Sequence, residues 1–381
     1  MKYKYTTITI VALAIFNYTT FVFGETKGNI IQQKDIGSRN DSKIASNIRK
    51  KTSIKNYTAI IMADPQPWRL DYGDPNSEAN RAIWINKNEK TAKAIKSQKA
   101  AFHIVNGDLT NFGRKKTYDD YANMYKKLGA PVYEGLGNHD YANNVGKCTI
   151  PEEMNSSSDA CAISAISRMM GEIKKYSNDL PHFNRDITEK LTGDSDKSIH
   201  FIEGSFGYSW DYGDIHYVQL HNYPTYTAHL KQSDTNIHVK SSLDWLKKDL
   251  AAADARGKVT IMNFHDARPF FPNGPSHFLK PEKAQDLLAF KSIITSHNVK
   301  AIFAGHTHYQ SYCRAQDDKV FGNIPVYTAG ALFKGDYYLI NVRGKDIHVK
   351  FYNGRTGKPT LIEDLGMIGT PTEFFESCSN L

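Results

Sequence analysis

The sequence predicts an α/β fold with mixed β-sheets, on two observations. From Tyr57 onward, short β-rich runs alternate with helical stretches, and two further runs carry central turn residues that fold a strand back on itself. The β-rich runs are "YTAIIMA" from Tyr57, "AFHIVN" from Ala101, "APVYEGL" from Ala130, "KVTIMNF" from Lys258 and "VKAIFA" from Val299. Each is short, apolar and rich in β-branched or aromatic residues, as strands are. The hairpins are "FGYSWDYGDIHYVQL" from Phe206 and "DYYLINVRGKDIHVKFY" from Asp336, with Gly-Asp and Gly-Lys at their turns.

Three helices are expected between the strands. "SEANRAIWINKNEKTAKAIKSQK" begins at Ser77. "SSLDWLKKDLAAADA" has Ser241 or Ser242 as N-cap, with Leu243, Leu246 and Leu250 on one face. "PEKAQDLLAFKSIITSH" starts on Pro281 and spaces Leu287, Leu288 and Ile293 for burial. Residues 141 to about 200 break the alternation with a long, polar, partly helical insertion.

Before this domain the chain reads as an export leader. Lys2 and Lys4 precede the apolar "ITIVALAIF", and small residues end at Gly24. That apolar run is shorter than the roughly 20 residues a membrane span needs. Residues 1–24 are therefore expected to be a cleaved signal peptide and residues 25–56 a polar leader, with 57–360 as the main domain and 361–381 as a tail. The mature chain is expected to be soluble, with no transmembrane segment, and secreted or periplasmic.

Four cysteines suit an oxidising compartment: Cys148 and Cys161 flank a polar loop, and Cys313 and Cys378 remain. Spacing leaves the connectivity open, and no pair has the Cys-x-x-Cys spacing of a zinc knuckle. The formal net charge is +8, and +6 without Lys2 and Lys4. The Lys-Lys pairs are scattered, so no nucleic-acid partner is expected.

All five strands end in polar clusters: "ADPQ", "NGDLTN", "GLGNHD", "NFHDARP" and "AGHTH". Ligands of α/β sheets bind beyond the carboxyl ends of strands. Folding can thus gather Asp64, Gln66, Asp108, Asn138, His139, His265, His306 and His308 at one place. Carboxylates, imidazoles and carboxamides together suit a pair of borderline divalent ions.

These clusters, in this order, resemble the calcineurin-like metallophosphoesterases. That superfamily carries D-x-H, G-D-x-x-N/D, G-N-H-D/E, a lone histidine and G-H-x-H. Here they stand as Asp64-Pro65-Gln66, Gly107-Asp108-Leu109-Thr110-Asn111, Gly137-Asn138-His139-Asp140, His265 and Gly305-His306-Thr307-His308. The resemblance implies a four-layer αββα sandwich with two mixed sheets. It also implies metal one on Asp64, Gln66, Asp108 and His308, and metal two on Asp108, Asn138, His265 and His306, with Asp108 bridging. Two divalent ions would then deliver a hydroxide to phosphorus, with His139 as general acid for the leaving oxygen.

The departures are informative. Gln66 replaces the usual histidine with a harder donor, which favours manganese, iron or magnesium over zinc, manganese first. Asn111 and the "NFG" that it begins replace the Asp-Arg-Gly of the protein-phosphatase branch, so a small-molecule ester is expected instead. Candidates are nucleotides, lipid headgroups and phosphosugars, as phosphodiesters or phosphomonoesters. Asn111, Arg268 and His221 are candidate substrate contacts. The competing expectation is a secreted, non-catalytic metal-binding module on the same fold.

Overall fold

The computed structural model describes residues 53–148, 159–192, 198–232, 234–269, 276–369 and 377–380. The expected signal peptide and most of the leader lie outside these residues. No helix among the described residues is long and apolar enough to cross a membrane.

Two mixed sheets form the body. The first has the order β17-β16-β15-β1-β2-β3, built from β1 (Asn56–Met62), β2 (Phe102–Val105), β3 (Val132–Glu134), β15 (Asp336–Arg343), β16 (Asp346–Asn353) and β17 (Thr360–Met367). The second has the order β13-β14-β12-β11-β8-β7-β4. Its strands are β4 (Asn184–Arg185), β7 (Tyr208–Tyr212), β8 (Ile215–Gln219), β11 (Val259–Asn263), β12 (Val299–Ala304), β13 (Gln310–Cys313) and β14 (Val326–Ala329). Strands β1, β2 and β3 run parallel, as do β8, β11, β12 and β14. Both expected hairpins form: β7 pairs antiparallel with β8, and β15 with β16.

The period-2 rule shows how the layers stack. On β8, β11 and β12, Tyr217, Ile261, Ala301 and Phe303 enter the same core as Ile60, Phe102 and Ile104 of the first sheet. Their chain neighbours Val218, Met262 and Ile302 enter a second core with Leu246, Leu250, Leu287 and Phe290. Each central strand of the second sheet is thus buried on both faces, which explains its nearly continuous apolar sequence. The outer helices of that side are α4 (Leu243–Ala255) and α5 (Ala284–Thr295). On the other side, α1 (Glu78–Ser97) and α2 (Lys115–Tyr125) bury Trp84, Ile95, Tyr121 and Tyr125 in the first core. The result is the four-layer α/β sandwich.

Local signals account for the helix ends. Ser77 caps α1 by accepting a hydrogen bond from Asn80 N at 3.1 Å. Ser242 sits at the N-cap of α4, but its hydroxyl donates to Pro224 O at 2.9 Å, so it ties the helix to a loop instead of capping it. Pro281 opens a 3₁₀ turn, Pro281–Lys283, directly before α5. Leu288 does not enter the core: it is 62% exposed, and Phe290 and Ile294 fill the expected place beside Leu287.

The insertion is more structured than its polar sequence suggests. It holds α3 (Ala160–Tyr176), whose Tyr176 packs edge-on against Tyr133 of β3, the edge strand of the first sheet. Beyond α3, β5 (Thr188–Thr192) and β6 (Ile199–Gly204) join β9 (Ala228–Gln232) and β10 (Thr235–Val239) in a third sheet, β5-β6-β10-β9. Its β6 and β10 run parallel, and residues far beyond 200 complete it.

The expected boundary at 360 also moves. Residues placed in the tail form β17, which pairs antiparallel with β16, and Cys378 is disulfide-bonded to Cys313. The other bridge joins Cys148 to Cys161 and ties the first turn of α3 to the chain that leaves the "GNHD" loop.

Candidate metal centre

The strand ends do converge. Asp64 follows β1, Asp108 follows β2 and Asn138 follows β3, while His265 follows β11 and His306 follows β12. Parallel strands deliver all these ends to one edge of the two sheets. The loops are then sewn together through the backbone: Asp64 N donates to Gly107 O and Gln66 N to Asp108 O, both at 3.1 Å, and Gly305 N donates to His265 O at 2.9 Å.

Such close approach needs the glycines. A Cβ on Gly137 would overlap the carboxylate and backbone nitrogen of Asp108, and one on Gly305 would overlap Ala63 and the Asp64 carboxylate. The backbone is strained as well. Asp64, Gln66, Asp108, His306 and His308 all have positive φ, between 30° and 71°. Left-handed conformations at so many non-glycine residues cost energy and cluster at functional sites.

The side chains meet at this edge, most of them buried. His265 Nε2 lies 3.3 Å from Asp108 Oδ1 and 4.0 Å from Asp64 Oδ1. His308 Nε2 is 3.4 Å from Asp64 Oδ1. Asn138 Oδ1 stands between His265 Nε2 and His306 Nδ1, 2.9 Å from each. Gln66 Nε2 donates to Asp108 Oδ2 at 2.8 Å, which leaves Gln66 Oε1 turned away. His139 N donates to Asp108 Oδ1 at 2.8 Å.

The centre is short of positive charge. Asp64 and Asp108 are fully or almost fully buried. Burial alone would lower the His265 pKa, but the carboxylates of Asp108 and Asp64 outweigh it and push that pKa up to about 10. Asp108 correspondingly sits well below the usual carboxylate range: burial opposes this, and His265 and His139 overcome it. A proton on imidazole thus stands in for cationic charge. Asp64 Oδ1 and Gln66 Oε1 are buried oxygens with no hydrogen-bond partner. Two buried carboxylates, one with an unpartnered oxygen, and the unpartnered carbonyl of Gln66 are a donor set that fits hard divalent cations.

Two groups of side chains have ligand atoms close enough to share an ion: Asp64 with Asp108 and His265, and Asp266 with His277 and His306. The second group was not expected from the sequence. Asp266 Oδ2 lies 3.6 Å from His306 Nε2 and 3.2 Å from His277 Nδ1. Since His306 turns Nδ1 toward Asn138, Asp266 braces its far side, as outer carboxylates brace metal-binding histidines.

A family model for calcineurin-like phosphoesterases matches residues 58–310. The chain belongs to that family. Among curated proteins none matches. Solved structures with a similar fold include a dimetal phosphatase from Danio rerio, 13% identical over 81% of this chain and 99% of that one, TM-score 0.47. A purple acid phosphatase from yellow lupin (Lupinus luteus) seeds is 13% identical over 82% of this chain and 53% of that one, also at TM-score 0.47.

Other residues of this phosphoesterase have roles that the sequence did not assign. Asp140 accepts hydrogen bonds from Leu109 N, Thr110 N, Thr110 Oγ1 and Gly137 N, so it clamps the loop of Asp108 to the loop of Asn138. Its place in the "GNHD" motif was visible; its partners about 30 residues away were not. Arg69 Nη1 lies 3.4 Å from His139 Nε2. His139 is partly buried, and burial, with Arg69, His308 and His265 adding to it against Asp108, pushes its pKa down to about 4.

Of the three candidate substrate contacts, His221 and Asn111 are buried and Arg268 is partly buried. His221 is a backbone pin: its Nδ1 accepts from Leu136 N at 3.0 Å, its Nε2 donates to Phe206 O at 2.6 Å, and its carbonyl accepts from His265 N at 2.7 Å. With both ring nitrogens engaged and the side chain buried, it holds the site from below and is corrected from a substrate contact to a scaffold residue. Arg268 donates to Ser311 Oγ at 3.3 Å on β13. Asn111 is buried with its Oδ1 unpartnered.

Proposed function

We propose that this phosphoesterase is exported and hydrolyses small-molecule phosphate esters with a pair of divalent ions. The convergence of Asp64 and Asp108 with His265, next to the orphaned oxygens of Asp64 and Gln66, carries the reading. Asp64, Gln66, Asp108 and His308 would hold one ion, and Asp108, Asn138, His265 and His306 the other. Gln66 Oε1 as a carbonyl donor favours manganese, iron or magnesium. When bound, such ions supply a nucleophile at neutral pH and offset the charge of the phosphoryl group.

The chain's own groups do the rest. Asp108, held by Gln66 Nε2 and His139 N, keeps both halves of the centre in register. His139, beside Arg69, would donate a proton to the departing oxygen once the charge of a bound phosphoryl group favours its protonated form. Phe112, whose ring centroid lies 6.0 Å from that of His139, shields one side of it. The paired cysteines support export.

The test is hydrolysis of p-nitrophenyl phosphate and bis-p-nitrophenyl phosphate by metal-stripped protein refilled with manganese, iron, magnesium or zinc. Turnover restored by metal, and lost in Asp108→Asn, is the expected result. Absence of turnover with every metal, in folded protein that binds metal, would reject it.

A further inference from the structure

We propose that Arg69 is the phosphate-binding residue of this centre, and that it fits the site to the dianionic phosphoryl group of a monoester; this rests on the phosphoesterase reading above. The first observation is the pairing of Arg69 itself. Its guanidinium lies against His139 Nε2 at 3.4 Å, and no carboxylate among the described residues forms an ion pair with it. The neighbouring acid Asp71 is turned to Lys334, at 3.5 Å. By contrast, two guanidinium groups elsewhere in the fold are neutralised: Arg81 binds Asp120 through Nε and Nη2, and Arg256 binds Asp211 through Nε and Nη2. A partly buried guanidinium with most of its fork unused, next to a candidate metal centre, suits an anion.

The second observation is that its loop is built to aim it. Arg69 N donates to Gln66 O at 3.0 Å, so the loop closes on the residue that contributes a candidate ligand. Trp84 Nε1 of α1 donates to Pro65 O at 2.9 Å. Trp68 is fixed at both ends: its indole donates to Asp120 at 2.6 Å and its carbonyl accepts from Asn80 Nδ2 at 3.2 Å. Two helices therefore hold the residues that lead into Arg69, and the backbone that carries it is pre-organised.

The third is chemical. Guanidinium and imidazole share this contact only if His139 Nε2 accepts, so at most one of the five Arg69 N–H groups is used. A monoester phosphoryl group carries up to two negative charges on three terminal oxygens, whereas a diester carries one charge on two. The free fork gains from the extra charge and the extra oxygen, and a second ester group would displace both.

The experiment compares wild type, Arg69→Gln and Arg69→Lys, each checked for an unchanged melting temperature. Calorimetric binding of inorganic phosphate is measured with and without manganese, and kcat/KM for p-nitrophenyl phosphate and its bis-ester. Arg69→Gln should weaken phosphate binding by about 10- to 100-fold, the loss of one charge-assisted pair. It should lower monoester kcat/KM by a similar factor and diester kcat/KM by clearly less, with Arg69→Lys in between. Unchanged phosphate affinity, or equal losses for both esters, would overturn the assignment. If wild type hydrolyses neither ester, the phosphoesterase reading fails separately, and phosphate affinity still decides the role of Arg69.

Discussion

His265 Nε2 lies 3.3 Å from Asp108 Oδ1 with both side chains buried, the two reaching each other from different sheets. With Asp64 close behind, the two carboxylates repel across a low-dielectric space that one imidazolium only partly compensates.

Metal removal should therefore destabilise the protein as well as silence it. Ions that bind only the folded state stabilise by mass action, so chelation should lower the melting temperature by roughly 5 °C or more. Calorimetry with and without chelator checks this. In Asp108→Asn the chelator-dependent shift should shrink to near zero, because both candidate ion positions lose a ligand.

Gly137→Ala should be far more harmful than an ordinary surface substitution. The added methyl collides with Asp108 at backbone as well as side chain, so neither a rotamer change nor a small shift relieves it. A loss of at least about 2 kcal/mol is expected by chemical denaturation, with activity reduced further because Asp108 moves. Gly146→Ala, where a Cβ meets nothing within 4 Å, is the control, although its positive φ of 69° carries a smaller cost.

A buried ionic network away from the centre sets part of the pH dependence of stability. His216 on β8 is fully buried between Asp211 of β7 and Asp249 of α4, at 2.7 and 2.9 Å. Arg256 holds Asp211, and Ser209 and Asn184 hold Asp249. Burial would lower the His216 pKa, but the two carboxylates prevail and raise it. Burial also works against ionised Asp211, yet His216 and Arg256 bring its pKa down to about 2.

A raised histidine contributes stability that is complete below its unfolded value of about 6.5 and fades as pH rises through the folded value. The lowered Asp211 contributes above about 3.9 and fades as pH falls toward 2. His216→Gln should therefore destabilise most between about pH 4 and 6.5 and flatten the decline above pH 6.5. Thermal melts from pH 4 to 9 on both proteins measure it; an unchanged alkaline slope would refute the assignment.

Much of the centre was legible because each strand and its terminal cluster are adjacent in sequence. A β-rich run ending in Asp64-Pro65-Gln66, or in Gly305-His306-Thr307-His308, declares both the element and the chemistry at its end, and parallel pairing brings such ends together. The two glycine-turn hairpins and the three helices announced by periodicity were legible for the same local reason.

Tertiary structure alone decided which polar residues serve the centre and which serve the scaffold. His221 and His265 both follow apolar strands, yet only the fold turns the first onto Leu136 N and Phe206 O and the second toward Asp108. Asp266 reaches His306 across 40 residues, and Arg69 reaches His139 across 70. The polar insertion was expected to be partly helical, but half of a third sheet stayed hidden because β5 and β6 bury few residues, and β6 finds its parallel partner in β10 on the far side of β7 and β8. By itself the sequence determined the order of strands and the chemistry at their ends, since both depend on neighbours along the chain. The pairing of charges depended on approach between distant segments, which only the packed core imposes.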